Sequence, residues 1–426
     1  MKEVLVISPT ALAPWPGGGG PRTAAACKYL PRSGWQASLL AADMGADRPD
    51  WAGPVRCITA PWPRLLRRGA RTEVWKAPGR ARKPSVLMDK LWAATDRALS
   101  LVLFPDESAT WVPKAVKAAR REFASAPPQA VLSMAPRFAA HVVGERLSRL
   151  WHVPWVAEFQ DPFVGNVFMP WPTPLHRKAA ARVERRWVER AAAVTTTTET
   201  LRQELAARYT HLGQKVTVIS NGYDPIESEP VALDQEHCHI VHCGQFYGGR
   251  VPDHFLEALA ALGRRRPDLA TRMRVHFVGP VNQRTETAAR HLGLSDIVRS
   301  EGVVSNARSL GWMRAADLLL LIKHVSPAAA AQVPTKLYEY ISAAKPILAL
   351  AHESEMAQIL KQARGGVTVP PTDVEAISRA VEDFADGRFA DFRPDQSYSE
   401  QFALPTLMHR MAEVLDSALS AAVRKD

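Results

Sequence analysis

Two stretches of the chain combine residue types suited to holding a phosphate. The first is Pro16-Gly17-Gly18-Gly19-Gly20-Pro21-Arg22-Thr23. Glycines carry no Cβ, so backbone N–H groups there can approach an anion closely, and a following helix adds the positive end of its dipole. The second is Val333-Pro334-Thr335-Lys336-Leu337-Tyr338-Glu339-Tyr340. Thr335 suits a helix start, and Lys336 puts a cation beside N–H groups that have no partner inside the helix. A lysine opposes the macrodipole at that end, a small local cost that an anion between the two would remove. Glu339, one turn on, can accept hydrogen bonds from two ribose hydroxyls. The glycine run also admits a dinucleotide fingerprint, with Asp43 as its ribose acid. Its loop is long, however, and Thr23 stands where the third glycine belongs, so phosphate or sugar contact is the better reading.

A third candidate is Asp161, in an Asp-Pro pair directly after an apolar strand, where its carboxylate could hold a sugar hydroxyl or cap a helix. His237-Cys238-His239 with His242-Cys243 has the residue types of a zinc site, but strand alternation sends those side chains to opposite faces. No bound metal is expected. No Gly-x-Ser-x-Gly elbow, His-Glu-x-x-His helix or Asp-x-Asp clamp is present.

The elements that must position these groups alternate between strand and helix, the pattern of parallel α/β sheets. Strands are predicted at 4–8, 37–40, 130–133, 155–159, 193–197 and 216–220, then at 239–243, 274–278, 318–322 and 346–350. Helices are predicted near 21–30, 175–192, 252–263, 285–292, 335–344, 374–384 and 404–423. A boundary falls near 224–234, where Pro225, Pro230 and a group of acids interrupt the pattern. The expected organisation is 1–228 as a first Rossmann-like domain, 229–400 as a second, and 401–426 as a helix packing back on the first.

The 426 residues are 46% hydrophobic and 23% charged, which excludes a disordered chain or a fibre. Four cysteines without framework spacing fit a reducing cytoplasm. No apolar run approaches the length of a membrane span. The net charge of +11 is uneven: 14 Lys+Arg face 6 Asp+Glu between Pro61 and Glu122. Trp62, Leu65, Trp75, Trp92 and Leu101 interleave with those cations, which suits the surface of an anionic membrane. Nucleic acid and a plain solvated surface are the competing readings of the same stretch, and nucleic acid is the least favoured.

Four motifs in this order resemble a family 4 glycosyltransferase of the kind found in bacterial polysaccharide clusters. They are Gly-Gly-Gly-Pro-Arg-Thr, Val153-Pro154-Trp155-Val156-Ala157-Glu158-Phe159-Gln160-Asp161-Pro162-Phe163, Ser220-Asn221-Gly222-Tyr223-Asp224 and Lys336-Leu337-Tyr338-Glu339-Tyr340. The resemblance spans Val4 to about Val414. It implies a GT-B fold, two Rossmann-like parallel-sheet domains facing across a cleft, with a C-terminal amphipathic helix. It also implies a nucleotide-sugar donor in the second domain, a saccharide or lipid-linked acceptor in the first, and metal-independent transfer that retains the anomeric configuration. No cofactor is implied beyond the nucleoside-diphosphate sugar as co-substrate.

On that basis Gly18, Gly19, Gly20, Gln245, Arg250, Thr335, Lys336 and Glu339 are expected at the donor, and Arg22 and Asn221 at the acceptor. The family's usual Arg and Lys of the diphosphate site map to Gln245 and Arg250, so one cation is lost. Its paired glutamates map to Ala331 and Glu339, so only the ribose-binding one remains. Asp161 and His141 are the catalytic candidates, His141 standing near the place where the family often has a histidine. Two alternatives stay open: an epimerase or hydrolase acting on nucleotide sugars in the same fold, and a non-enzymatic basic protein that binds membrane or nucleic acid. The expected location is the cytoplasm, peripheral on the inner face of the cell membrane.

Overall fold

The computed structural model describes residues 1–13, 20–45, 49–62, 101–166, 171–246, 250–325, 332–389 and 392–424. Most of the basic Pro61–Glu122 stretch, together with Gly18, Gly19 and Ala331, lies outside them. The chain divides into two units, Met1–Ser220 with Leu407–Asp426, and Asn221–Thr406.

The first unit holds β1 (Lys2–Ile7), β2 (Trp35–Asp43), β3 (Arg56–Pro61), β4 (Ala130–Met134), β5 (Trp155–Phe159), β6 (Ala193–Thr196) and β7 (Val216–Val218). They pair in parallel in the order β3-β2-β1-β4-β5-β6-β7. The second unit holds β8 (Cys238–Cys243), β9 (Met273–Val278), β10 (Val298–Gly302), β11 (Leu318–Ile322), β12 (Ile347–Leu350) and β13 (Gly366–Val369). Their order is β10-β9-β8-β11-β12-β13, again parallel throughout. In each sheet the strand order reverses once, between β1 and β4 and between β8 and β11. At such a switch point a crevice opens beyond the carboxyl ends of the strands.

Central strands are apolar along their whole length because helices cover both faces of a parallel sheet. All of Leu318–Ile322 and all of Val4–Ile7 are buried. Strands β3, β10 and β13 fall in stretches with no predicted strand. They are sheet edges, with sequences such as Val-Arg-Ser-Glu-Gly in β10, and most of their residues keep some contact with solvent.

The boundary between units lies at Ser220, earlier than the expected 228, because the following residues are bound into the second unit. Tyr223 N–H donates to Phe402 O at 3.1 Å, Leu404 N–H donates back to Tyr223 O at 2.9 Å, and Glu229 N–H reaches Ala307 O at 3.0 Å. Ile226, Val231 and Leu233 pack on the core there. From Leu407 the final helix, Leu404–Val423, belongs to the first unit. Asp416 accepts from the Trp35 indole at 2.8 Å and pairs with Lys2, while Leu407, Met411 and Leu415 are fully buried. Truncating Met411→Ala removes an enclosed thioether chain and leaves a cavity, so thermal unfolding should show a loss of about 2–5 kcal/mol. Asp416→Asn, on a half-exposed side chain, should cost far less.

Candidate functional site

The second switch point gathers positive charge. β8 ends in Cys243-Gly244, and Cys243 N–H donates to the Tyr340 hydroxyl at 2.8 Å. That bond ties the helix Thr335–Ser342 to the end of β8, and the same hydroxyl lies 3.4 Å from Leu320 O on β11. Pro334 precedes the helix, and no side chain caps its first N–H groups. Lys336 extends from its first turn across Gly244. A Cβ built on Gly244 would fall 1.7 Å from Lys336 Nζ, and φ there is +118°, so glycine is required twice over.

Two further cations join it. Lys323 follows the last residue of β11, is 4% exposed, and is anchored through its own N–H to Leu350 O at 3.0 Å. Arg250 acts electrostatically on both lysines. Burial, reinforced by Arg250, holds Lys323 and Lys336 each down to about 8, although Glu355 opposes the shift at Lys323 and Glu339 opposes it at Lys336. Burial raises the Glu339 carboxyl, and Lys336 pulls it back. His242 lies beneath, stacked on Phe246 at 4.5 Å, its Nδ1 2.9 Å from Leu320 O. Burial first, then the nearby Lys336 and Arg250, hold it down to about 3, so it is neutral. Three cations crowded at one strand switch, in partly desolvated surroundings, are an arrangement chemically able to receive a polyanion.

Of the residues expected at the donor, Arg250, Lys336 and Glu339 therefore meet at one place, with Thr335 exposed at the helix start and Gln245 partly exposed after Gly244. Lys323 was not anticipated. Its one signal in the sequence is a lysine closing the run Leu-Leu-Leu-Leu-Ile, at the carboxyl end of a central strand.

The first switch point is organised differently. Gly20 opens the helix Gly20–Tyr29, where an added Cβ would meet nothing closer than Ala11 O at 3.7 Å. Arg22, expected to bind acceptor, is buried: Nε donates to Glu158 Oε1 at 2.9 Å, and its other nitrogens donate to Ile219 O and Ser220 O at 2.7 and 2.6 Å. A guanidinium so engaged positions the end of β5 and the chain after β7, with three of its five N–H donors committed to protein acceptors. Glu158, missed by sequence reading, also accepts from Gln160 at 3.0 Å, and its Oε2 is buried without a partner among the described residues. Asp161 is partly exposed in the loop beyond. Glu184 fastens that loop by accepting from Val164 N–H at 2.9 Å. Asn221 is the first residue of the second unit and is partly exposed.

His141, a catalytic candidate from the sequence, lies in the core of the first unit. It is fully buried, its ring centroid 4.6 Å from that of Phe159 and 5.3 Å from that of Trp187. Its Nδ1 meets Ser133 Oγ at 2.8 Å, and the same oxygen accepts from the Trp155 indole at 2.7 Å. Burial pushes it down to about 3, so it stays neutral and far from any proton-transfer role at ordinary pH. Of the histidines in and before β8, His237 and His239 both face Asp234, while His242 turns to another side. His239 Nδ1 lies 2.9 Å from His276 Nε2, His237 pairs with Asp234 at 2.7 Å, and His242 bonds Leu320 O. Among the described residues no group of three His, Cys, Asp or Glu is arranged to hold a metal ion.

Two Rossmann-like parallel sheets in series are the fold of the GT-B class. Residues 17–222 match the glycosyl transferase 4-like domain, and residues 237–386 match the glycosyl transferases of group 1. The chain belongs to the family 4 glycosyltransferases. A D-inositol 3-phosphate glycosyltransferase of Streptomyces scabiei is 27% identical over 236 residues, 51% of this chain and 52% of that protein. The chain thus spans about half the length of the curated relatives it matches. Sucrose-phosphate synthase from Thermosynechococcus elongatus superposes with a TM-score of 0.61 at 15% identity, covering 100% of this chain and 98% of that one. Anabaena HepE in complex with UDP-glucose gives 0.61 at 16%, covering 98% and 100%. At such identities the likeness concerns the fold alone.

Depressed lysines make anion binding pH-dependent with a definite sign. Their folded pKa lies below 10.5, so their charge costs stability at neutral pH in the ligand-free protein, and that cost fades as pH rises through about 8. A bound anion favours the protonated forms, so affinity must fall as they deprotonate. Calorimetric titration with pyrophosphate between pH 7 and 9 should show a loss of up to about 10-fold per lysine. A flat profile would remove both lysines from the site.

Proposed function

We propose that this protein transfers a sugar from a nucleoside-diphosphate sugar to a saccharide or lipid-linked acceptor, with retention at the anomeric carbon and without a bound metal. The observation that carries the reading is the meeting of Arg250, Lys323 and Lys336 with Glu339 at the β8/β11 switch point. The cations suit a diphosphate, and the carboxylate suits a pair of ribose hydroxyls. Lys323 offsets the cation that Gln245 does not supply. The HepE complexes with UDP and UDP-glucose support a donor of this class.

During transfer the bond from the anomeric carbon to the phosphate oxygen breaks, and the acceptor oxygen bonds to that carbon from the same side. The departing phosphate oxygen takes the acceptor's hydroxyl proton, so no protein nucleophile is needed. Charge growing on the diphosphate meets cations already in place, usually the largest catalytic contribution. Asp161 is assigned to holding a hydroxyl of the reacting sugars. The polymer served is a cell-surface or exopolysaccharide, assembled in the cytoplasm beside the membrane.

Calorimetry with UDP, GDP and ADP, followed by turnover on the matching nucleotide sugars with saccharide, lipid-linked and inositol-phosphate acceptors, tests this reading. Arg250→Ala, Lys323→Ala and Lys336→Ala each remove a charge-assisted hydrogen bond of roughly 1.5–3 kcal/mol, so nucleotide affinity should fall ~10- to 150-fold. Arg250→Ala should also lower turnover, because the charge it meets grows in the transition state. Glu339→Gln should weaken donor binding with turnover at saturation little changed. If all four variants, still folded by their melting curves, bind nucleotide as the wild type does, the donor site is elsewhere. In a separate experiment, turnover should persist in excess EDTA, and loss restored by magnesium or manganese would refute the metal-free mechanism.

A further inference from the structure

The helix Pro174–Arg190 has an outward face that the donor site does not use. Leu175, Lys178, Arg182 and Arg186 recur at helical spacing along one side, and all four are exposed. Leu175 is 76% exposed at the start of that face. His176 Nε2 bonds Leu101 O at 3.1 Å, which brings the turn at Leu101 (49% exposed) and Val102 (80% exposed) beside it. Among the described residues seven large apolar side chains stand out this far, and three of them meet here.

The surrounding charge has one sign. Arg185 is paired with Glu189 and Arg186 with Glu145, but Arg177, Lys178 and Arg182 form no ion pair among the described residues. Next to them an open recess of about 420 Å³ is lined by Trp171, Thr173, Pro174 and Arg177. The indole Nε1 of Trp171 faces no acceptor among the described residues.

We propose that this face, Leu101 and Val102 with Leu175, Lys178 and Arg182, docks on an anionic lipid bilayer. Three apolar groups beside unpaired cations fit a layered partner, negative at the headgroups and apolar just below. A polyanion such as nucleic acid has use for the cations but none for Leu175 or Val102. The Trp171 recess is of a size to take a headgroup, with Arg177 at its rim. Most of the 61–122 stretch lies outside the described residues; the face proposed here joins its Leu101 and Val102 to cations of a later helix, and it is independent of the donor assignment.

The test is flotation of the full chain with vesicles of phosphatidylglycerol and phosphatidylcholine, or of phosphatidylcholine alone, in low and high salt. Binding is expected on the anionic vesicles only, weakened by salt. Each cation at such a surface is worth about five-fold, so the double variant Lys178→Glu, Arg182→Glu should lose roughly 30-fold or more. The variant Leu101→Ser, Val102→Ser, Leu175→Ser should also lose binding, with its charge unchanged. No binding by the wild type, or wild-type binding by both variants, overturns the proposal. Full retention by the apolar variant also overturns it, as does tighter binding to duplex DNA that this variant does not impair. Melting curves and nucleoside-diphosphate titration of each variant should match the wild type, so failure here and failure of the donor reading are told apart.

Discussion

Three cations held close together are the constraint around which the second unit is built. Arg250 repels both Lys323 and Lys336, and burial makes the two lysines reluctant to keep their protons. Such a cluster lowers the stability of the ligand-free chain, and the rest of the unit must be rigid enough to hold it. That rigidity comes from the apolar β11, from the Tyr340 hydroxyl joining the end of β8 to the middle of β11, and from Gly244, which leaves space for the Lys336 ammonium. Glu339 moderates the charge from one turn away without cancelling it.

The first unit meets the same topology with the opposite solution. At its switch point the charge is paired internally: Arg22 and Glu158 form a buried pair, and two further guanidinium N–H groups donate to the carbonyls of Ile219 and Ser220. Breaking such a pair leaves an uncompensated buried charge, so it specifies geometry more than it adds stability. Glu184 serves the neighbouring loop in the same way, accepting from Val164 N–H and the Tyr209 hydroxyl and pairing with Arg208. One unit thus concentrates like charge at its switch point, while the other pairs opposite charges around the loop that carries Asp161.

Aromatic packing accounts for the rest of the first core. His141 sits among Phe138, Phe159 and Trp187, and its bond to Ser133 extends to the Trp155 indole. A histidine in such surroundings is a neutral core residue with one satisfied nitrogen. Its chemistry is set by that cage, and the cage is assembled from β4, β5 and two helices that are distant in sequence.

The sequence alone determined the alternation of strand and helix, the two-unit plan and the helix start at Thr335, because apolar runs, prolines and glycines act over a few residues. It also carried Lys336 and Glu339 in a local motif, and Arg250 through the family resemblance. Edge strands such as β10 stayed hidden because a strand with one solvent-facing edge needs no apolar run. Tertiary structure decided everything that depends on which distant residues become neighbours. It brought Lys323 to Arg250, turned Arg22 inward to Glu158, enclosed His141, and bound residues 221–228 into the second unit through Tyr223. It also set Leu175 beside Leu101. Burial and charge proximity are properties of those meetings, and they set protonation and exposure, which no single stretch of chain encodes.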